Sequence, residues 1–284
     1  MITWQEVLQT VGYEGEAVET LSDKDGIRVI RLRTAKGGAV LKIFDVEEQR
    51  REIRNYVILQ SLGIQTIPIW AMNEQAILME DLQQSPKWRL GVADDLHNVQ
   101  VAKLLAAWYV ELHQRGRRYL QDYMANLYEE TALMNPTNMQ WLREVSQSES
   151  HPFWQVWQEK EKQFLKSLHE LPKTLTYNDF FWTNFAIARD DSAAMMFDYN
   201  LLGKGFAYSD ISNVLSSLSA EAGKAFLQVY GHYDPREEAI NRITSPLVGL
   251  ILAFRREKFP SWGKEPLEQL KSGELTHLLQ LLPF

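Results

Sequence analysis

Asp179 is followed five residues later by Asn184, and a second aspartate, Asp198, stands fourteen residues further on, at the end of the apolar run Met195-Met196-Phe197. Phosphoryl transfer from a nucleotide needs parts of this kind. One carboxylate orients the attacking hydroxyl and accepts its proton, and a carboxylate with an amide oxygen holds Mg²⁺ on the polyphosphate. On that reading Asp179 is the base, and Asn184 and Asp198 are the metal ligands. Taken alone, Asn178-Asp179 reads equally as a turn. A second set lies far upstream in matching order: Lys42, flanked by Val40, Leu41, Ile43 and Phe44, and then Glu52 in a helical pattern. Lys42 either points outward from an alternating strand or, partly buried, pairs a phosphate oxygen with Glu52 fixing its direction. Glu48, one turn earlier, competes with Glu52 for that place.

Those residues need elements to carry them. Short β-prone runs at 17–21 and 28–33, a turn at Lys36-Gly37-Gly38 and a strand at 39–44 predict an antiparallel meander. A helical period from Val46 through Ile53, Tyr56 and Val57 stops at Gly63, and two further strands follow at 67–71 and 75–79. Residues 83–90, with Pro86 and little periodicity, read as a linker. Beyond it helices are expected at about 97–115, ending at Gly116, then 122–133, 136–147 and 152–170. Two short apolar runs flank the polar, aromatic loop within 175–197 as a hairpin. Helices resume at 209–219, 221–230, 235–258 and 265–282. The expected organisation is a nucleotide-binding lobe over 1–82 and a helical lobe over 83–284 that carries the catalytic loop and acceptor site.

The stretch Thr176-Tyr177-Asn178-Asp179-Phe180-Phe181-Trp182-Thr183-Asn184 and the Asp at 198 resemble the catalytic segments of the aminoglycoside phosphotransferase and choline kinase-like superfamily. The resemblance runs from the strands near Ala17 to the helix around Asp210. It implies an α+β, bilobal, protein-kinase-like fold: a small antiparallel sheet with a helix, and a larger, mainly helical lobe with a catalytic β-hairpin. The implied activity is an O-phosphotransferase with ATP or GTP as donor, Mg²⁺ as cofactor and a small-molecule hydroxyl as acceptor, whether aminoglycoside, amino alcohol or sugar-like. Ser22 and Gly26 fall where the family covers the phosphates with a turn. Glu80 and Leu82, in Ile77-Leu78-Met79-Glu80-Asp81-Leu82, fall on the hinge whose backbone receives the adenine. Leu112-His113 and Asp210 match further landmarks, the Asp being implied to brace the catalytic loop. The chain departs from the family in reading Tyr177-Asn178 where His-Gly is usual, and in carrying one glycine, Gly26, in the phosphate-covering turn. The first departure motivates an alternative, a pseudokinase-type nucleotide-binding scaffold.

Composition narrows the field. Among 284 residues there is no cysteine, which excludes disulfides, thiolate metal sites and a Cys nucleophile. Thirty Lys and Arg against 37 Asp and Glu, a net charge of −7, argue against a nucleic-acid partner. The N-terminus lacks a signal-peptide pattern and no apolar run is long enough to span a bilayer, so no membrane partner and a cytoplasmic location are expected. The six histidines show no metal-ligand spacing. Gly203-Lys204-Gly205 lacks the flanking residues of a phosphate-binding P-loop and reads as a flexible surface loop. Trp108, Trp154 and Trp157 are expected to pack inside, whereas Trp182 either anchors the catalytic loop or walls the acceptor pocket.

Overall fold

Alternating apolar residues build one twisted sheet. In a computed structural model, which describes residues 3–123 and 126–283, β1 (Glu16–Lys24), β2 (Ile27–Thr34), β3 (Gly37–Phe44), β4 (Ile69–Met72) and β5 (Ala76–Glu80) pair antiparallel in the order β1-β2-β3-β5-β4. The period of two sends Ile30, Leu32, Leu41, Ile43 and Leu78 to one face, where they pack with Val7 and Leu8 of α1 (Trp4–Thr10). Val29, Val40, Lys42 and Met79 are thereby committed to the other face. Asp25 and Gly26 both have positive φ (54° and 75°), the backbone that a two-residue hairpin between β1 and β2 requires. Helix α1 was not expected, although its signal is present. Thr3 accepts from the Glu6 amide and the Glu6 carboxylate accepts from the Thr3 amide, a capping box ahead of Val7 and Leu8.

Helix α2 (Arg51–Ser61) follows a 3-10 turn, Glu47–Arg50. Next come β6 (Trp88–Leu90), α3 (Val99–Asp122), α4 (Pro136–Val145), α5 (Pro152–Glu170) and β7 (Thr174–Thr176). The chain then forms β8 (Phe185–Ala188), β9 (Ala194–Met196), β10 (Gly203–Gly205), α6 (Ala207–Leu215), α7 (Ala220–Tyr230), α8 (Pro235–Phe254), α9 (Lys264–Ser272) and α10 (Glu274–Leu281).

Several expectations need correction. The supposed linker 83–90 ends in a strand, because Ser85 Oγ accepts the amides of Lys87 and Trp88 and turns the chain so that β6 pairs with β8. The expected hairpin is therefore part of a three-stranded sheet, β6-β8-β9. Helix α3 runs through Gly116, which is buried on it, so that glycine is no stop. The helix expected at 122–133 includes residues 124 and 125, which lie outside the described residues, and Glu130–Leu133 forms a single 3-10 turn. Gly203–Gly205 is a strand on β7, with both glycines buried. Finally, Gly273 at φ 88° separates α9 from α10, where one helix was expected.

Contacts divide the chain into two compact units: Met1–Tyr119 with Tyr177–Leu202 and Asn213–Gly231, and Leu120–Thr176 with Gly203–Ser212 and His232–Phe284. This division does not fall at Leu82, because the β6–β8 pairing draws 177–202 into the same unit as the five-stranded sheet. The second unit has its own core of Phe153, Trp157 and Phe164 on α5 with Ile243, Leu247 and Ile251 on α8. Trp108, Trp154 and Trp157 are buried, as expected of packing residues. Among the described residues no helix is long and apolar enough to cross a membrane.

Candidate active site

Lys42 sits on β3, paired on both sides by β2 and β5, and its alternation places it opposite the face that packs on α1. Its Nζ donates to Glu52 Oε2 at 2.7 Å and to Asp198 Oδ1 at 2.8 Å. Lys42 is 8% exposed and Glu52 0%. The alternative partner, Glu48, is exposed, so the open choice between the two glutamates falls to Glu52. Burial acts to strip the Lys42 proton, but the charges of Glu52 and Asp198 outweigh it and hold the ammonium above its ordinary range. Burial pushes Glu52 up to about 7 against the opposing pull of Lys42. Removing two charges from water costs about as much as their attraction returns, so such a pair is weak evidence for stability and better evidence for a site.

The loop after β7 is held from several sides. Tyr177 is fully buried, stands edge-on to Trp108 (6.0 Å between centroids), and donates its hydroxyl to the Phe197 carbonyl. Asn178 adopts φ 65° and donates its amide to the Leu201 carbonyl at 3.0 Å. These two bonds tie the loop to the segment around Asp198, so the residues that replace His-Gly supply their own buttress. Asn184 donates to the Asp179 carbonyl at 3.1 Å and to Asp179 Oδ2 at 3.2 Å, closing the loop across its neck. Phe180 fixes the loop inward by stacking on Phe185, 6.1 Å between centroids. Burial raises the Asp179 carboxyl above the usual range, and the charge of Asp198 adds to that while Lys42 opposes it.

Asp198 is itself in the left-handed region, φ 63° and ψ 70°. Its neighbour Tyr199 is pinned to α2, for Asn55 donates to the Tyr199 carbonyl at 2.7 Å and Tyr56 meets the Tyr199 ring edge-on at 4.8 Å. The helix that carries Glu52 therefore also positions Asp198. Two non-glycine residues with positive φ, 178 and 198, bracket the candidate residues Asp179 and Asn184, a form of backbone strain that concentrates at functional sites.

A cavity of about 280 Å³ opens beside these groups. Val29, Val40, Met79 and Leu82 line it with apolar surface, while Lys42, Glu52 and Asp198 supply charge. Glu80 and Leu82 line it too. Ser22 and Gly26 do not, and Leu21 and Val29 take that side. Gly26 has a packing role instead: a Cβ there would meet Val46 Cγ2 at 2.2 Å. Asp179 and Asn184 are not among the lining residues, whereas Thr183 is.

The profile of the phosphotransferase enzyme family matches residues 22–240, a span that takes in Lys42, Glu52, the 179–184 loop and Asp198. The chain belongs to this family. A choline kinase from Streptococcus pneumoniae shares the fold at a TM-score of 0.67 and 13% identity, over 96% of this chain and 97% of that one. A macrolide 2'-phosphotransferase from Brachybacterium faecium does so at 0.62 and 14%, over 94% and 97%. A spectinomycin phosphotransferase, solved as an AMP-bound complex, does so at 0.58 and 11%, over 99% and 98%. No curated protein sequence matches the chain. The phosphotransferase thus has the kinase-like fold expected of the aminoglycoside phosphotransferase and choline kinase-like superfamily.

Sequence reasoning missed several residues around the cavity of this phosphotransferase. Arg31 lines it and donates to Asp81 at 2.8 Å and to Glu19 at 2.5 Å, partners 50 and 12 residues away that no local pattern announces. Asn55 and Tyr199 carry no motif. Two landmarks are buried: His113, whose Nδ1 lies 2.8 Å from the Tyr230 hydroxyl, and Asp210 at the start of α6. Among the described residues no group of three or more His, Asp and Glu is placed to hold a metal ion. A set of one carboxylate and one amide is smaller than that, and suits a cation that keeps waters and phosphate oxygens in its shell.

Proposed function

We propose that the protein transfers the γ-phosphate of ATP or GTP to a hydroxyl of a small molecule. The observation that carries this reading is Lys42, buried on the cavity wall between Glu52 and Asp198. A cation held there by two carboxylates is placed to share its charge with the phosphates of a bound nucleotide. The base of the nucleotide takes the apolar cavity, against the backbone of Glu80 and Leu82. The AMP-bound spectinomycin phosphotransferase supports a nucleotide as donor.

The donor set fits Mg²⁺. Asn184 commits its NH₂ to Asp179, and among the described residues its amide oxygen meets only the Thr183 hydroxyl, at 3.2 Å. Asp198 spends one oxygen on Lys42 and is 37% exposed at its side chain, so its other oxygen is accessible. When bound, Mg²⁺ would neutralise charge on the polyphosphate. Asp179 orients the acceptor hydroxyl and takes its proton at a carboxylate oxygen, which its raised proton affinity favours. The scaffold alternative rested on Tyr177-Asn178. The bonds of those two residues to Phe197 and Leu201 support a competent loop over a degenerate one.

A thermal-shift titration tests the reading. ATP or GTP with Mg²⁺ should stabilise the fold by RT ln(1 + [L]/Kd), about 2.7 kcal/mol at a hundredfold excess over Kd. No shift with either nucleotide at millimolar concentration would overturn it.

A further inference from the structure

Among the described residues that line the donor cavity, two are cations, Lys42 and Arg31, and they stand at different ends of it. Pairing across the sheet sets Val29, Lys42 and Ile77 in one row and Arg31, Val40 and Met79 in the next. Two residues along a strand span about 7 Å. Arg31 therefore lies one row beyond Lys42, on the side of the cavity formed by Glu80, Asp81, Leu82 and Gln83.

There it ties two parts of the chain together. Its Nε donates to Asp81 Oδ2 at 2.8 Å, Nη1 to Glu19 Oε2 at 2.5 Å, and Nη2 to Gln83 Oε1. Glu19 is its register partner on β1, whereas Asp81 and Gln83 follow β5, 50 and 52 residues away. Asp81 is fixed in turn. It is 3% exposed, its Oδ1 accepts the Gln83 amide at 3.1 Å, and its own amide donates to the Gly38 carbonyl at 3.1 Å. One side chain thus straps the β1–β2 hairpin to the segment after β5.

With the phosphates of a nucleotide at Lys42, its sugar and base extend toward the Arg31 row and the apolar Val40, Met79 and Leu82. Each guanidinium nitrogen already donates to a separate acceptor, so what Arg31 has left for a flat ring is chiefly its face. Guanidinium planes stack on aromatic rings through dispersion and charge together.

We infer that Arg31 is a base-contacting residue of the donor site. The strap holds its guanidinium in place to stack on the base, and the larger ring system of a purine gains more from that stack than a pyrimidine does. This rests on the phosphotransferase reading above.

The test is titration calorimetry with the Mg²⁺ complexes of ATP, GTP and UTP. The better bound of the two purine nucleotides should exceed UTP in affinity by about tenfold. Arg31→Met should raise the Kd of that purine nucleotide by about tenfold, as loss of one cation–ring stack does, and the Kd of UTP far less. Arg31→Lys should not restore the preference, since one ammonium cannot hold three acceptors on two elements. Arg31→Met strands the buried Asp81 carboxylate, so the double variant Arg31→Met/Asp81→Asn is titrated beside it and should lose the preference in the same way. Equal wild-type affinity for purine and pyrimidine, a purine Kd indifferent to both variants, or an equal rise for purine and pyrimidine would each overturn the inference and leave the donor site standing. Binding of none of the three nucleotides would remove the phosphotransferase reading and the inference with it.

Discussion

Replacing Lys42 by methionine keeps the length of the side chain and removes the cation from a carboxylate that is wholly buried. Wild-type Glu52 already titrates at about 7, pushed up by burial and held down by Lys42. Without Lys42 its proton affinity rises further, toward the range of buried glutamates that lack a partner. An acid whose folded pKa lies above its unfolded value of about 4.3 favours the folded state at low pH, and it loses that contribution as pH rises through the folded pKa. For the wild type the loss is complete near pH 7 and the pair is then level up to the titration of Lys42, itself raised. For Lys42→Met the loss continues above pH 7 at up to about 1.4 kcal/mol per pH unit. The stability gap between the two should therefore widen by about 1–3 kcal/mol from pH 7 to pH 9, or roughly 3–8 °C in Tm. Thermal denaturation across that range measures it. In the double variant with Glu52→Gln the widening should vanish. A gap that stays constant with pH would refute a buried Lys42–Glu52 pair.

Three other outcomes follow from the loop and the turn. Tyr177→Phe strands the Phe197 carbonyl and should cost about 1–3 kcal/mol in denaturant unfolding; an unchanged midpoint would deny Tyr177 its buttress role. At position 178, with φ 65°, Asn→Gly and Asn→Ala both lose the side-chain bond to Leu201, but Ala also meets backbone strain, so Ala should be the less stable by about 1 kcal/mol. Gly26→Ala should destabilise through both its φ of 75° and the 2.2 Å approach to Val46. Adding Val46→Ala should recover part of that loss, and strict additivity in the double-mutant cycle would contradict the contact.

The sequence exposed whatever depends on local pattern. The period of two in Ala39-Val40-Leu41-Lys42-Ile43 located β3 and left only the facing of Lys42 undecided. Pairing with Glu52 and Asp198 decides that, and it becomes visible only once α2 and the segment after β9 are placed. Trp88-Arg89-Leu90 and Gly203-Lys204-Gly205 have no intrinsic strand signal. They are strands because β8 and β7 offer them ladders, a long-range cause that local propensity does not contain. Gly116 misled because a glycine ends a helix only where the chain needs positive φ, and here it lies buried in mid-helix. The proposed chemistry could be read from the sequence because Asp179, Asn184 and Asp198 share one short stretch. The residues that hold them, Asn55, Tyr199 and the Tyr177–Phe197 bond, were not, since their partners lie 20 or more residues away.

The most direct measurement is kcat for phosphate transfer together with nucleotide Kd, on wild type and Asp179→Asn side by side. Asparagine keeps the shape at position 179 and removes the carboxylate proposed to accept the hydroxyl proton. Loss of a general base lowers turnover by about 10²- to 10⁴-fold, or roughly 3–5 kcal/mol in the barrier. Nucleotide Kd should change little, because the donor site proposed at Lys42, Glu52 and Asp198 does not include Asp179. A lost affinity for nucleotide with an unchanged rate per bound complex would instead make Asp179 a ligand of the metal or phosphates, contradicting its assignment as the base.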